Sequence, residues 1–374
     1  MKIIVHAGMA KTGSSAIQNT LAHNRDRLRE QGIFYPNFDP EKSNNVAKWK
    51  NHWLLVAEMH PDPKFYHHVL RKSDGTQAKL LETGAFLQLR KTLREMSKGG
   101  ILILSAEDFG RGQSANGFER RLVPLLQRFT RDVFCVSYAR PPLSLYPSGI
   151  QQRIKSGKTN VSTPSEWITP HYEQHKTLKR IFSERNILRI FSRDVLKDGD
   201  VIDDFMRAVS NISGSDISFE KKGATNESIS SGACSLLYKY LQNKNDLVRK
   251  DFRALKQCLR EFDESSGQSK FSIPDEWNSA IISNNAHAWN AMVEDSNHSS
   301  AEKEAYYLSV DDKSEDITAE IVGRFLENSF DKEYGAGFVK FLQNSEQRRL
   351  SKAVSEMIGS PHRSDGARPT KRAK

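Results

Sequence analysis

Between Gly8 and Ser15 the chain collects two glycines, a lysine and three hydroxyl side chains in the run Gly8-Met9-Ala10-Lys11-Thr12-Gly13-Ser14-Ser15. Such residues at a strand-to-helix turn suit anion binding. Glycines let backbone N–H groups converge, the helix N-terminus adds the positive end of its dipole, and lysine adds a point charge. Thr12, Ser14 and Ser15 bring hydroxyl donors. The order differs from the nucleoside-triphosphate loop GxxxxGK[ST], where lysine directly follows the last glycine. Here Lys11 precedes Gly13 and two serines follow it. The competing reading is a glycine-softened turn capped by serine.

A second constellation follows the apolar run Val133–Tyr138, which continues to Arg140, with Ser148 eight residues further on. A guanidinium fork matches phosphate oxygens, and a hydroxyl at a helix start adds a donor beside the positive dipole end. Pro141, Pro142 and Pro147 are expected to keep the intervening segment from turning helical early. A surface arginine and an ordinary N-cap serine are the plainer alternatives.

Two residues are candidates for a general base. Glu107 ends the run "ILILSAEDF" at a strand's carboxyl edge, where α/β enzymes gather ligands; it needs a raised pKa to work near neutrality. His52, in "KNHWLL", titrates near physiological pH when unperturbed. Against these stand a Glu107 carboxylate paired with Arg111 or Arg140, and a His52 that is packed or orients an acceptor. Ser105 is a further member of the Glu107 edge. His67 and His68 are weaker candidates. Trp49, Trp53, Tyr66 and Trp167 either line an acceptor platform or fill core. Cys135, Cys234 and Cys258 have neither disulfide nor zinc-ligand spacing, so no metal is expected.

These residues need a scaffold, and the apolar pattern supplies one. Ile3–Val5, Ile101–Leu104, Val133–Tyr138 and Ile187–Phe191 read as buried parallel strands. Helical patterns over 14–31, 86–96, 118–129 and 170–185 separate them, the first ending at Gly32. The alternation predicts an α/β, doubly wound, mainly parallel sheet with a C-terminal helical extension. Residues 35–83 form a long, aromatic- and histidine-rich connection. Helical, charged segments at 232–241, 246–262 and 317–328 dominate beyond residue 226. The expected division is 1–225 catalytic, 226–355 helical extension and 356–374 a basic tail.

The two anion motifs together resemble the sulfotransferases that use 3′-phosphoadenosine 5′-phosphosulfate (PAPS). Lys11-Thr12-Gly13-Ser14-Ser15 looks like their 5′-phosphosulfate loop, and Arg140 with Ser148 matches their 3′-phosphate pair. The resemblance covers roughly the first 225 residues. It implies a P-loop-like sulfotransferase fold, PAPS as donor with no metal, and in-line transfer to a hydroxyl acceptor, a carbohydrate or glycolipid as in soluble bacterial-type members. It assigns Lys11 to charge stabilisation at the leaving oxygen, Glu107 or His52 to the base, and Lys222 and Asn226 to the adenosine end. A nucleotide kinase and a noncatalytic basic module that binds polyanions are the alternatives.

A net charge of +10, from 56 Lys+Arg against 46 Asp+Glu, favours anionic ligands without selecting among them. Lysine and arginine are not interleaved with stacking aromatics along any one segment, so nucleic acid is not the expected partner. No stretch approaches the roughly 20 apolar residues of a membrane span, and the amino terminus lacks a signal-peptide core. The chain is therefore expected to be cytoplasmic. Oligomeric state is not legible.

Overall fold

The computed structural model describes residues 1–38, 50–61, 84–96, 99–222, 228–242, 249–310, 316–329, 332–345 and 347–359. The described chain divides into two compact units, one formed by Met1–Tyr146, Trp167–Asn226 and Ile281–Ser314, the other by Pro147–Glu166, Glu227–Ala280 and Glu315–Lys374.

The first unit holds a five-stranded sheet, β1 (Lys2–Ala7), β2 (Ile33–Phe34), β3 (Ile101–Ala106), β4 (Val133–Ala139) and β5 (Asn186–Ile190), in the spatial order β2-β3-β1-β4-β5. Every pairing is parallel. The four expected strands are all present. β2 is the addition, two residues beyond Gly32 and too short to carry a period.

Alternation along the strands splits the core between two faces. Ile3 and Val5 of β1 with Leu102 and Leu104 of β3 bury against helices α4 (Ala85–Glu95) and α7 (His171–Phe182), which contribute Leu89, Leu93, Leu178 and Phe182. Ile4, Ile103 and Val136 bury on the other face against α1 (Ser14–His23) and α8 (Val201–Ser213), through Ile17, Leu21, Phe205 and Val209. Each such buried side chain stabilises the fold by roughly 1.5–3 kcal/mol. The helix after β1 and the helix α7 after β4 thus cover opposite faces. The topological switch point therefore falls between β1 and β4, the position at which open α/β sheets bind ligands.

The helix expected over 14–31 breaks at Asn24 into α1 and α2 (Arg25–Glu30). Asn24 gives its side-chain amide to the Thr20 and Glu220 carbonyls, both at 2.8 Å, and accepts from the Glu220 N–H. A long-range tether therefore sets the break, and the local sequence carries no sign of it. Farther on, α3 (Trp53–Met59) and a helical run α5 (Ser114–Gly117, Phe118–Leu122 and Val123–Gln127, the middle piece a π turn) complete one face. Asp200 caps α8 by accepting from the Ile202 N–H at 2.7 Å. Buried Asp204 in that helix accepts from Tyr138 Oη of β4 at 2.9 Å and from Arg189 Nη2 of β5 at 2.7 Å.

The helix expected to start at Ser148 starts earlier. α6 runs over Pro142–Lys155 with Pro147 inside it, so the prolines do not delay the helix. Pro142 is its first residue, where the missing N–H costs nothing and the ring presets φ.

Residues 281–314 belong with the sheet although the sequence places them in the helical extension. Trp289, Met292 and Val293 join the core shared with Ile3 and Val5. Asn297 accepts from the Leu188 N–H at 2.9 Å, and His298 accepts from the Ile190 N–H at 2.9 Å. Asn297 also donates its own N–H to the Leu188 carbonyl at 2.8 Å, so one backbone bond and two side chains fasten this segment to the edge strand β5, too few in succession to leave a strand pattern to read.

The second unit is helical, with Ser231–Gln242, Arg249–Ser266, Ala319–Asn328, Lys332–Asn344 and Arg348–Gly359 among its elements. Phe262 stands 5.2 Å from Tyr334 and 5.5 Å from Phe338 between ring centroids, and Trp277 stands 4.9 Å from Phe325. The three cysteines are free and buried. Among the described residues no helix is long and apolar enough to cross a membrane.

Candidate functional site

β1 delivers the chain at Ala7 into the loop 8–13, and α1 begins at Ser14. Gly13 caps that helix at φ +77°, and no acidic side chain occupies its first turn. The first turn itself therefore brings no carboxylate to the dipole's positive end. Gly8 is required for close approach. A Cβ on it would lie 2.4 Å from Ser14 Oγ and 3.2 Å from the Glu107 Cα. The loop and Glu107 therefore lie side by side, as extensions of the paired ends Ala7 and Ala106.

Lys11 itself takes a left-handed backbone, φ +62°. For a residue with a Cβ this costs roughly 1–2 kcal/mol, a strain that functional loops often hold. Glycine relieves the strain but loses more entropy on folding. Lys11→Gly should therefore be more stable than Lys11→Ala, by about 1 kcal/mol. Chemical denaturation of the two proteins checks this, and a higher midpoint for Lys11→Ala would show that the loop is unstrained.

The hydroxyls divide. Thr12 is buried and donates to the Met9 carbonyl at 2.7 Å, so its side chain closes the loop and only its N–H remains to meet an anion. Ser14 is buried and sits 3.4 Å from the same carbonyl. Ser15 is exposed.

Arg140 arrives at this loop from the end of β4. Its Nη1 donates to the Lys11 carbonyl at 3.1 Å and its Nε to Ser144 Oγ at 3.1 Å. The guanidinium also lies 5.7 Å from the Phe191 ring centroid, and a Cβ on Gly13 would come 3.1 Å from that same ring. Phe191 thus packs against both anion motifs. Burial lowers the Arg140 pKa, but a guanidinium stays charged. Ser148 lies inside α6 and belongs to the second unit, whereas Arg140 belongs to the first.

Glu107 reaches solvent at the sheet's carboxyl edge, yet its pKa is raised. Neighbouring protein displaces much of its water and Asp108 adds a like charge, while Arg111 and Lys11 pull the other way. Arg111 pairs with Asp108 at 3.4 Å.

His52 does not fit the role of base. It is buried, its Nδ1 accepts from the Ser105 N–H at 2.8 Å, and its Nε2 donates to the Pro36 carbonyl at 2.8 Å. Both ring nitrogens are committed to backbone, and burial pushes the pKa down to about 3. The ring is a strut holding residues 36 and 105 together. Ser105 is likewise internal, its Oγ 2.7 Å from His6 Nδ1 and 3.1 Å from Gln18 Nε2. Lys222 is exposed. Trp53 is buried, and Trp167 lies edge-on to buried Tyr146 at 5.3 Å. Asn226, Trp49, Tyr66, His67 and His68 lie outside the described residues.

Two supporting residues escape the sequence reading. His171 Nε2 donates to the Ala10 carbonyl at 2.9 Å while its Nδ1 accepts from the Arg140 N–H at 3.3 Å, so one ring spans both anion motifs. Burial lowers its pKa to about 4, which keeps it neutral. Gln174 reaches Gly8, Glu107 and Phe109. The available signal was the buried polar spacing His171, Gln174, His175 on a helix otherwise amphipathic in the ordinary way.

No family model matches the chain, and no curated protein matches it. Among solved structures it is similar to the sulfotransferase domain from the Synechococcus PCC 7002 olefin synthase, at 11% identity over 73% of this chain and 95% of that one, with a TM-score of 0.32.

Proposed function

We propose that the chain is a PAPS-dependent sulfotransferase acting on a hydroxyl of a carbohydrate or glycolipid. The observation that carries this reading is the hydrogen bond from Arg140 to the Lys11 carbonyl. The Lys11 loop and Arg140, 129 residues apart in sequence, meet at one edge of the first unit, with Glu107 beside the loop. Resemblance of the same motifs to the sulfotransferase family supplies the donor and the acceptor class.

In this reading the N–H groups of the loop and the start of α1 hold the 5′-phosphosulfate, with Ser14 and Ser15 as hydroxyl donors. Arg140 holds the 3′-phosphate end, with Lys222 and Asn226 as the donor contacts that the family resemblance adds. The donor supplies the sulfuryl group. As the acceptor oxygen bonds to sulfur, its proton passes to the Glu107 carboxylate. The bridging S–O bond breaks and its electron pair leaves on the phosphate, where Lys11 offsets the developing charge. His52 keeps the base strand in place and takes no proton.

Thermal unfolding with added nucleotide tests the reading. Adenosine 3′,5′-bisphosphate at about 100 times its Kd should stabilise the protein by about 2.7 kcal/mol, and ATP with magnesium should not. Stabilisation by ATP with magnesium alone would favour a kinase.

A further inference from the structure

We infer that Gln174 is a positioning residue that fixes the distance between the phosphate loop and Glu107; this rests on the sulfotransferase reading. The last rung of the β1–β3 ladder is the bond from Gly8 N–H to the Ala106 carbonyl, at 3.0 Å. Beyond it the two chains part, one into the loop that carries Lys11 and the other into the turn 107–110. Gln174, on α7, meets them where they part. It is 2% exposed, and its Nε2 lies 2.9 Å from the Phe109 carbonyl, 3.3 Å from that of Glu107 and 3.4 Å from that of Gly8.

A side-chain amide has two N–H donors. Three carbonyls from two strand ends therefore share one NH₂ group, and a shift of either end weakens its contact. His171, one turn earlier on the same helix, holds the Ala10 carbonyl and the Arg140 N–H. The two residues differ in what they couple: His171 joins the donor motifs to each other, whereas Gln174 joins the donor loop to the base. Sulfuryl transfer needs the acceptor oxygen, sulfur and leaving oxygen in line, and small misplacements at this point are expensive in rate. Glu107's raised pKa depends on the same placement, since water displaced by its neighbours is its first cause.

Gln174→Met keeps the volume and removes both donors, so it isolates the hydrogen bonds. Sulfuryl transfer from PAPS should be followed against pH in the wild-type and variant proteins, with calorimetric binding of adenosine 3′,5′-bisphosphate. The variant should lose kcat by about 10-fold or more while its nucleotide Kd moves by less than about 3-fold. The acid limb of its pH profile should move down, because a loosened Glu107 regains water and its pKa falls toward the ordinary carboxylate value. Should Gln174→Met fail to fold, Gln174→Asn keeps an amide one methylene shorter and should show the same displacement of the acid limb with a smaller loss of kcat. A lower unfolding midpoint with kcat and acid limb both unmoved would make Gln174 a merely structural residue and overturn the inference. Failure of the wild-type protein itself to transfer from PAPS would overturn the function along with it, so the two failures are told apart in one experiment.

Discussion

Glu107→Gln should bind adenosine 3′,5′-bisphosphate as the wild type does and transfer sulfuryl about 10²–10⁴-fold more slowly, the usual contribution of a general base. The substitution is nearly isosteric and replaces the carboxylate with an uncharged amide that cannot take the acceptor's proton. As the proposed base the carboxyl has to be ionised, so kcat should fall at low pH through a limb lying above the ordinary carboxylate range. The raised pKa of Glu107 sets that direction. Stability carries the opposite sign. A carboxyl whose pKa is higher folded than unfolded contributes fully below its unfolded pKa and loses that contribution as pH rises through the folded one. Glu107→Gln should therefore melt slightly above the wild type at neutral pH, with the difference vanishing in acid. The gain stays small because the carboxyl reaches water. Rate assays and thermal melts on one preparation check both signs, and an unchanged kcat would remove Glu107 from the chemistry.

Acid should unfold this protein early. His6, His52 and His171 are each no more than 1% exposed, and burial holds their pKa values at about 3, about 3 and about 4. Unfolded histidine titrates near 6.5. Below that pH the unfolded chain binds protons that the native protein refuses, so stability present at neutrality drains away as pH falls from 6.5 toward the folded values. Each histidine costs about 2 kcal/mol by pH 5 and the three together about 6. That is comparable with the whole stability of an ordinary domain, about 5–15 kcal/mol. Urea midpoints at pH 7 and pH 5 measure the loss, and His52→Gln should reduce it by about one third. A midpoint that does not move over this range would mean that these rings are already solvated.

The sequence exposes this fold where the physics is local. Ile3–Val5 and Ile101–Leu104 are apolar on both sides because both sheet faces are covered, and such runs show directly. Gly8, Lys11 and Gly13 also show, since backbone turns and close approaches restrict residue type. Long-range contacts leave little trace. Asn24 breaks a helix through a bond to Glu220, and 281–314 joins the sheet through Asn297 and His298. His52 next to Trp53 has the same letters whether it takes a substrate proton or braces Pro36 against Ser105, and burial with two backbone partners decides between them. Gln174 is a common helix residue until three carbonyls are found around it. Position in α6 corrects the reading of Ser148 as a helix-opening residue.

The most direct test asks whether Arg140 reads a 3′-phosphate. Calorimetric titration of the wild type and Arg140→Ala with adenosine 3′,5′-bisphosphate and with adenosine 5′-monophosphate isolates that one contact. A charged hydrogen bond of about 1.5–3 kcal/mol predicts that the wild type prefers the bisphosphate by roughly 10- to 100-fold, and that Arg140→Ala loses most of that preference while its affinity for the monophosphate barely changes. Equal affinity of the wild type for the two nucleotides would contradict a single donor gripped at both ends by Lys11 and Arg140.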